Sequence, residues 1–174
     1  MCSWDNARLR KPATSQTQRL AAIFTGQRIV KEKSKTYDVD SAIELIVNSD
    51  SELKERWERY IHEEYGDNTD TSTRLIYTDI GEVSRFIIEK FKTNQTENFE
   101  VIFSNIESIL TNCDHRTKEF ITIGLFEGIQ NISGGEIDYY FGFNKWLYTL
   151  SGEQWRAVID FWEGKDWRTT KRPK

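Results

Sequence analysis

Apolar residues recur at helical spacing from about residue 40 onward. Leu53, Trp57, Tyr60, Ile61 and Tyr65 fall at i, i+4, i+7, i+8 and i+12, which places them on one face of a helix. Strict two-residue alternation never extends far enough to define a sheet. The other apolar runs follow the same helical period: Ile43, Leu45, Ile46 and Val47; Ile76, Ile80, Val83, Ile87 and Phe91; Phe99, Ile102, Phe103, Ile106, Ile109 and Leu110; Phe120, Ile121, Leu125, Phe126 and Ile129; and Trp155, Val158, Ile159 and Trp162.

These stripes predict an all-α fold, a compact bundle of five to six helices with a basic N-terminal arm. Serine followed three residues later by Glu or Gln predicts capping boxes that begin at Ser41, Ser49 and Ser151, and Asp114 is expected to cap a further helix. Trp162 is expected to be a core residue of the last helix. The aromatic-rich segment 137–148 fits either a helix or an irregular structure.

Charge divides the chain into three parts. Residues 1–36 are expected to form a basic arm, with eight Lys and Arg residues against two acidic ones and one short apolar cluster that fits a short helix. An arm of this kind stays mobile unless a partner docks it. Residues 37–167 are expected to form an acidic all-helical domain and 168–174 a basic tail. Between residues 37 and 163 the net charge is −14.

This acidic domain restricts the classes of partner. Its charge attracts a basic protein and repels nucleic acid, so contact with nucleic acid is expected only through the arm or the tail, if at all. No stretch approaches the roughly 18 apolar residues of a membrane span, and no signal-peptide core follows the N-terminus, so we expect a cytoplasmic protein with no membrane partner. The basic residues concerned are Arg8, Arg10, Lys11, Arg19, Arg28, Lys31, Lys33 and Lys35 in the arm, and Arg168, Lys171, Arg172 and Lys174 in the tail.

Four short motifs resemble catalytic or ligand-binding patterns, and each lacks a required member. The segment 62–64 begins like a zinc-protease helix, but Gly66 stands where the second histidine would be. The segment 67–70 lacks the alternating ligands of a calcium loop, and adjacent residues in 113–115 do not face one another on a helix. The segment 133–135 is followed by acidic residues instead of a phosphate-binding lysine. We therefore expect no catalytic residue, no metal site, no cofactor and no enzymatic activity.

Acidic and aromatic residues near the predicted helix ends are the candidate partner-binding residues. The segment 138–140, Asp-Tyr-Tyr, lies beside a glycine pair and among acids. Tyrosine in a polar setting is a common anchor of protein interfaces. The candidates are Glu63, Glu64, Asp67, Asp70, Asp138, Tyr139 and Tyr140.

Three runs carry a resemblance to a known family: YTDIGEVSRF at 77–86, LFEGIQN at 125–131 and WRAVIDFWEGK at 155–165. From about residue 40 to 167 the chain resembles an uncharacterised family of small bacterial all-helical domains, which are similar to immunity proteins encoded beside bacterial toxins. The resemblance brings no catalytic residues. It implies a non-enzymatic protein-binding module of the immunity or antitoxin kind, which blocks a basic partner such as a nuclease toxin through an acidic helical face. The alternative is a structural subunit of a bacterial defence complex, whose basic arm orders on a protein or on nucleic acid.

Overall fold

Every regular element in the described part of the chain is a helix. The computed structural model describes residues 36–68 and 71–165, where one isolated backbone bridge joins Tyr37 to Cys113. The predictions made for the basic arm, for Asp70 and for the basic tail lie outside the described residues.

The helices follow one another with short connections. They are α1 (Val39–Val47), α2 (Ser51–Tyr65), α3 (Ile76–Lys92), α4 (Phe99–Thr111), α5 (His115–Glu119), a π-helical segment (Phe120–Glu127), α6 (Gly128–Ser133) and α7 (Thr149–Trp162), with a 3-10 turn at Thr71–Thr73. The helix α5, the π-helical segment and α6 follow one another without a break and form one long helical rod, from residue 115 to residue 133. With that rod counted once, the described residues form six helices, which confirms the predicted all-α bundle. No helix in this part of the chain is long and apolar enough to cross a bilayer.

Two helices are capped by a residue other than the predicted serine. The carboxylate of Asp38 accepts a hydrogen bond from the Ser41 N–H at 2.9 Å, so Asp38 is the cap of α1. The carboxylate of Asp50 accepts two backbone N–H groups of the first turn of α2, at 2.8 and 2.9 Å, so Asp50 replaces Ser49 as the cap there. In both cases a charged acceptor close to the serine is the stronger partner, and it also stabilises the positive end of the helix dipole.

The start of α7 also differs from the prediction. The helix begins two residues before Ser151, whose hydroxyl accepts the Tyr148 N–H at 2.8 Å. The carboxylate of Glu107, from α4, accepts two backbone N–H groups of the first turn of α7, at 2.8 and 2.7 Å. A side chain from another helix thus satisfies donors that would otherwise lack partners. The predicted cap Asp114 is confirmed, since it accepts a backbone N–H of α5 at 2.8 Å.

The core lies around α3 and α4. Helix α3 packs against α2, the π-helical segment and α6, while α4 packs against α1 and α7. An aromatic cluster fills one end of this core: Phe91 stacks on Phe143 at a centroid distance of 4.6 Å, and Phe99 meets Trp146 edge-on at 4.8 Å. The segment 137–148 supplies two of these rings from a series of turns, which settles the choice between helix and irregular structure.

The prediction that Trp162 belongs to the core is wrong. Trp155, Val158 and Ile159 are buried, but Trp162 is 56% exposed and the adjacent Phe161 is 62% exposed. The apolar stripe of α7 continues for one turn beyond the part of the helix that its neighbours cover. Helical periodicity finds the stripe but contains no information on where the neighbouring helices end.

Two glycines, one in the π-helical segment and one at the start of α6, allow this part of the chain to pack closely against α3. A Cβ atom at Gly128 would lie 2.8 Å from the hydroxyl oxygen of Ser84, and one at Gly124 would lie 3.1 Å from a methyl group of Ile80. The Ser84 hydroxyl donates to the carbonyl of Leu125 at 3.3 Å. A side chain at either glycine would therefore push the two helices apart.

Candidate protein-binding surfaces

Three of the predicted acidic residues lie together where α2 ends. Glu63 and Glu64 occupy its last turn, Asp67 follows in the next turn, and all three are exposed. Between them Gly66 has a φ of 61°, a conformation that glycine adopts without strain, and this lets the chain leave the helix. The three carboxylates form no ion pair within residues 36–68 and 71–165. Their charge therefore faces solvent.

A buried carboxylate, Asp79 of α3, fixes this end of α2. Its side chain is fully buried and accepts hydrogen bonds from the hydroxyls of Tyr60 (3.0 Å) and Tyr65 (2.8 Å) and from Arg74 Nε (3.2 Å). Burial and the bond to Asp79 raise the pKa of Tyr60 to about 12, so this hydroxyl remains a donor at neutral pH. The Arg74 guanidinium also lies over the Trp57 ring, 5.2 Å from its centroid.

Ion pairs join the other end of α2 to α3. Arg56 contacts Glu82 at 2.5 Å and Glu89 at 2.7 Å, and Lys90 of α3 contacts Glu52 at 2.5 Å. These pairs direct the side chain of Arg56 inward, toward α3. The outer face of α2 is left with four exposed carboxylates and with the exposed Lys54 and Arg59, none of which forms an ion pair in the described part of the chain. The carboxylates are Glu55, Glu58, Glu63 and Glu64.

We predict that the attachment of α2 to α3 weakens in acid. Burial favours the neutral form of Glu82, but hydrogen bonds from Arg56 and Arg85, with their positive charges, lower its pKa below the ordinary value. A lowered folded-state pKa contributes stability above the unfolded-state pKa, and this is lost as the pH falls through the folded value. We expect Glu82→Gln to reduce the free energy of unfolding by about 1–3 kcal/mol at pH 7. At pH 3 the difference from the unmodified protein should be much smaller.

Urea unfolding at the two pH values measures this difference. Glu63→Gln is the control, because Glu63 is on α2, is exposed and forms no ion pair among the described residues. It should change the stability by less than about 0.5 kcal/mol at either pH. An equal loss for Glu82→Gln at pH 7 and pH 3 would show that the charge of Glu82 does not contribute.

A groove of about 340 Å³ lies between α1 and α2, close to the acidic face of α2. The exposed carboxylates of Glu44 and Glu58 line it, with Lys54 beside them. An apolar floor with acidic edges suits a basic segment that also carries apolar side chains. The floor is formed by Ile43, Val47 and Trp57.

The second predicted region lies beside the end of α7. The Asp138 carboxylate accepts the Tyr140 N–H at 3.1 Å, which shapes a turn, and the Tyr139 and Tyr140 rings stack at 4.7 Å. The Tyr140 hydroxyl donates to Glu163 at 2.7 Å, and this bond raises the pKa of Tyr140. Hydrogen bonds from Lys165 and Tyr140 lower the pKa of Glu163. The stacked tyrosines thus form an ordered, partly exposed aromatic surface.

The two predicted regions lie at opposite ends of α3. Tyr65, beside the acidic end of α2, contacts Asp79 near the start of α3, whereas the turn that precedes Asp138 is attached to the end of α3 by a Lys92–Glu136 ion pair. At 1.5 Å per residue these attachment points are roughly 20 Å apart along the helix. The structure therefore does not gather the predicted residues into one cluster.

A further surface was missed by the prediction. An apolar groove of about 490 Å³ lies between the π-helical segment and α7, and Ile123 and Phe161 are exposed beside it. Both residues fall outside the apolar stripes of their helices. Large apolar residues off the stripe were the sequence signal that could have pointed to this surface.

The remaining motifs add no reactive cluster in the described part of the chain. No group of three or more His, Cys, Asp or Glu side chains there could hold a metal ion. Cys113 is partly buried, and burial together with the charge of Asp114 raises the pKa of its thiol. The thiol therefore stays protonated at neutral pH and is a weak nucleophile.

The fold and these surfaces define an acidic, all-α domain with an ordered helical face and two grooves between helices. Residues 43–163 match the family described as a domain of unknown function, DUF7674, and the chain belongs to this family. Comparisons with curated proteins and with solved structures give no match.

Proposed function

We propose that this protein is a non-enzymatic binding module of the immunity or antitoxin kind, which acts in the cytoplasm and blocks a basic protein such as a nuclease toxin. The supporting observation is the distribution of ion pairs. Five of the eleven Lys and Arg residues between 37 and 163 pair with carboxylates of the same domain. They are Arg56, Arg74, Arg85, Lys90 and Lys92. These pairs use five of the twenty-five carboxylates between 37 and 163, so the excess of negative charge, −14 over this range, lies on the rest of the domain.

The outer face of α2 is the proposed contact surface. Its exposed carboxylates are spaced along a rigid helix that is attached to α3 at both ends, by the Asp79 network and by the Arg56 ion pairs. A basic surface that evolved to bind phosphates would meet carboxylates there, so that nucleic acid and this protein would compete for it. The Asp138–Tyr140 turn, at the other end of α3, would supply an aromatic contact to the same partner.

We predict that reversing two charges on α2 slows association with the partner. The variant carries Glu58→Lys and Glu63→Lys, and the control carries Glu97→Lys and Glu119→Lys, which are exposed on other elements and change the net charge equally. The α2 variant should associate about tenfold more slowly at low salt and show a flatter salt dependence, because long-range steering depends on the charges at the contact. Surface plasmon resonance with the protein encoded by the neighbouring gene measures both rates.

Growth measurements test whether this protein inhibits a toxic partner in cells. The neighbouring protein expressed alone should arrest growth, co-expression should restore it, and the α2 variant should restore it less well than the control. Equal association rates for the two variants would remove α2 from the interface. A complex that keeps its activity while this protein is bound would instead favour the structural-subunit alternative.

A further inference from the structure

The apolar groove between the π-helical segment and α7 is a candidate binding surface. Its volume is about 490 Å³, and its apolar lining comes from both helices. Ile123 of the π-helical segment is 47% exposed and Phe161 of α7 is 62% exposed, so two large apolar side chains on opposite walls face solvent. The residues of α7 that line the groove are Gln154, Ala157, Val158 and Phe161, spaced at i, i+3, i+4 and i+7.

The walls of this groove are ordered. The Thr122 hydroxyl contacts the Gln154 side chain at 3.2 Å and joins one wall to the other. Below them the core residues Leu125, Phe126 and Trp155 are buried. The π-helical turn itself is an uncommon element that occurs often at functional sites. A partner would meet a formed surface and would not have to open the core.

Each wall of the groove carries a carboxylate, and Lys118 is exposed one turn before the lining residue Thr122. Glu127 lines the groove from the π-helical segment, and Glu153 is exposed on α7, one turn before the lining residue Ala157. Neither carboxylate forms an ion pair in residues 36–68 and 71–165. A segment that covers the groove would therefore gain from positive charges on both sides of its apolar face.

We infer that this groove binds an amphipathic helix of a protein partner, with an apolar face flanked by Lys or Arg. A helix in a groove buries anchors at i, i+3, i+4 and i+7, the spacing that a groove between two helices accommodates. A second copy of this chain fits less well, because the domain between 37 and 163 carries a net charge of −14 and two copies would repel each other. The groove lies on the π-helical segment and α7, away from α2, so the inference goes beyond the proposed function.

Two designed peptides test this inference. Both carry leucine at the four anchor positions of a short helix, and their flanking positions are all lysine in one and all glutamate in the other. Fluorescence anisotropy with the full chain at about 0.15 M salt, where long-range charge effects are screened, measures their affinities. The lysine peptide should bind at least about tenfold more tightly than the glutamate peptide, a difference of about 1.4 kcal/mol.

Variants of the full chain locate the binding. Ile123→Asp and Phe161→Ser should each weaken the lysine peptide by about tenfold or more, and Glu127→Lys with Glu153→Lys should abolish the preference for lysine over glutamate. Val101→Asp is the matched control, since Val101 is 46% exposed on α4 outside this groove, and it should leave the affinity unchanged. Circular dichroism checks that each variant is folded; if Ile123→Asp fails to fold, the exposed Phe161→Ser tests the same wall.

Three results would overturn the inference. One is equal affinity for the two peptides, and another is an equal loss in Val101→Asp and Ile123→Asp. The third is a dimer in sedimentation that Ile123→Asp converts to a monomer, which would assign the groove to a second copy. The α2 variant with Glu58→Lys and Glu63→Lys separates this inference from the proposed function, because it should slow the basic partner and leave peptide binding unchanged.

Discussion

Replacing Trp155 with alanine should lower the free energy of unfolding by about 3–5 kcal/mol, a large part of the stability of a domain of this size. Trp155 is 1% exposed, and its ring packs edge-on against Phe126 at 5.4 Å and in a tilted arrangement against Phe143 at 5.1 Å. Its indole N–H donates to the Tyr139 carbonyl at 2.9 Å. The variant therefore creates a cavity and leaves the Tyr139 carbonyl without its donor. Urea unfolding followed by circular dichroism measures the loss.

The control for this prediction is the other tryptophan of α7. Trp162→Ala should lower the stability by only about 1 kcal/mol, because Trp162 is 56% exposed. The two variants remove the same side chain from the same helix, so the difference between them reports the burial of Trp155 together with its indole hydrogen bond. Similar losses for Trp155→Ala and Trp162→Ala would place the end of α7 inside the core and contradict the structure.

Replacing Asp79 with alanine should cost about 3–5 kcal/mol, because removal of one member of a buried ion pair leaves the other charge without its partner. Arg74 has a side chain only 11% exposed, and its Nη2 atom already lacks a hydrogen-bond partner in the described structure. Without Asp79 the hydroxyls of Tyr60 and Tyr65 also lose their acceptor. The start of α3 would separate from the end of α2.

A double variant tests whether the loss of stability comes from the unpaired charge of Arg74 or from a general loss of packing. Arg74→Met combined with Asp79→Ala removes both charges, so it should be more stable than the sum of the two single changes by about 1–3 kcal/mol. Urea unfolding of the four proteins gives this coupling energy. Additive losses would show that Asp79 and Arg74 act independently and that the unpaired charge of Arg74 is not the cause of the loss in Asp79→Ala.

The helices could be predicted because the apolar stripes match the buried faces. The stripe that contains Leu53 and Trp57 is buried on α2, and that of Ile80, Val83 and Ile87 is buried on α3. Helix starts were less predictable, because several acceptors near a serine compete for the same backbone N–H groups. The cap of α7 comes partly from Glu107, more than forty residues earlier in the chain. No local pattern contains that contact.

The candidate binding surfaces were predicted only in part, because a local sequence pattern does not contain contacts between residues that are distant in the chain. Glu63, Glu64 and Asp67 lie at a helix end, as expected from the glycine that follows the stripe, and whether they bind a partner stays a prediction. The contacts of Asp79, by contrast, could not be predicted. It stands among apolar residues on α3, and its partners Tyr60 and Tyr65 precede it by 19 and 14 residues. Only the folded chain places these three groups together.

The carboxylate of Glu107 helps to order one wall of the apolar groove before a ligand binds. Because this carboxylate accepts two backbone N–H groups at the start of α7, hydrogen bonds attach that end of the helix to α4. The middle of α7 is held by the burial of Trp155 in the core. The wall of the apolar groove is thus pre-organised, and a ligand helix would lose little affinity to ordering it. Only the final turn, with Phe161 and Trp162, is left free to adjust its rotamers to the shape of whatever docks there.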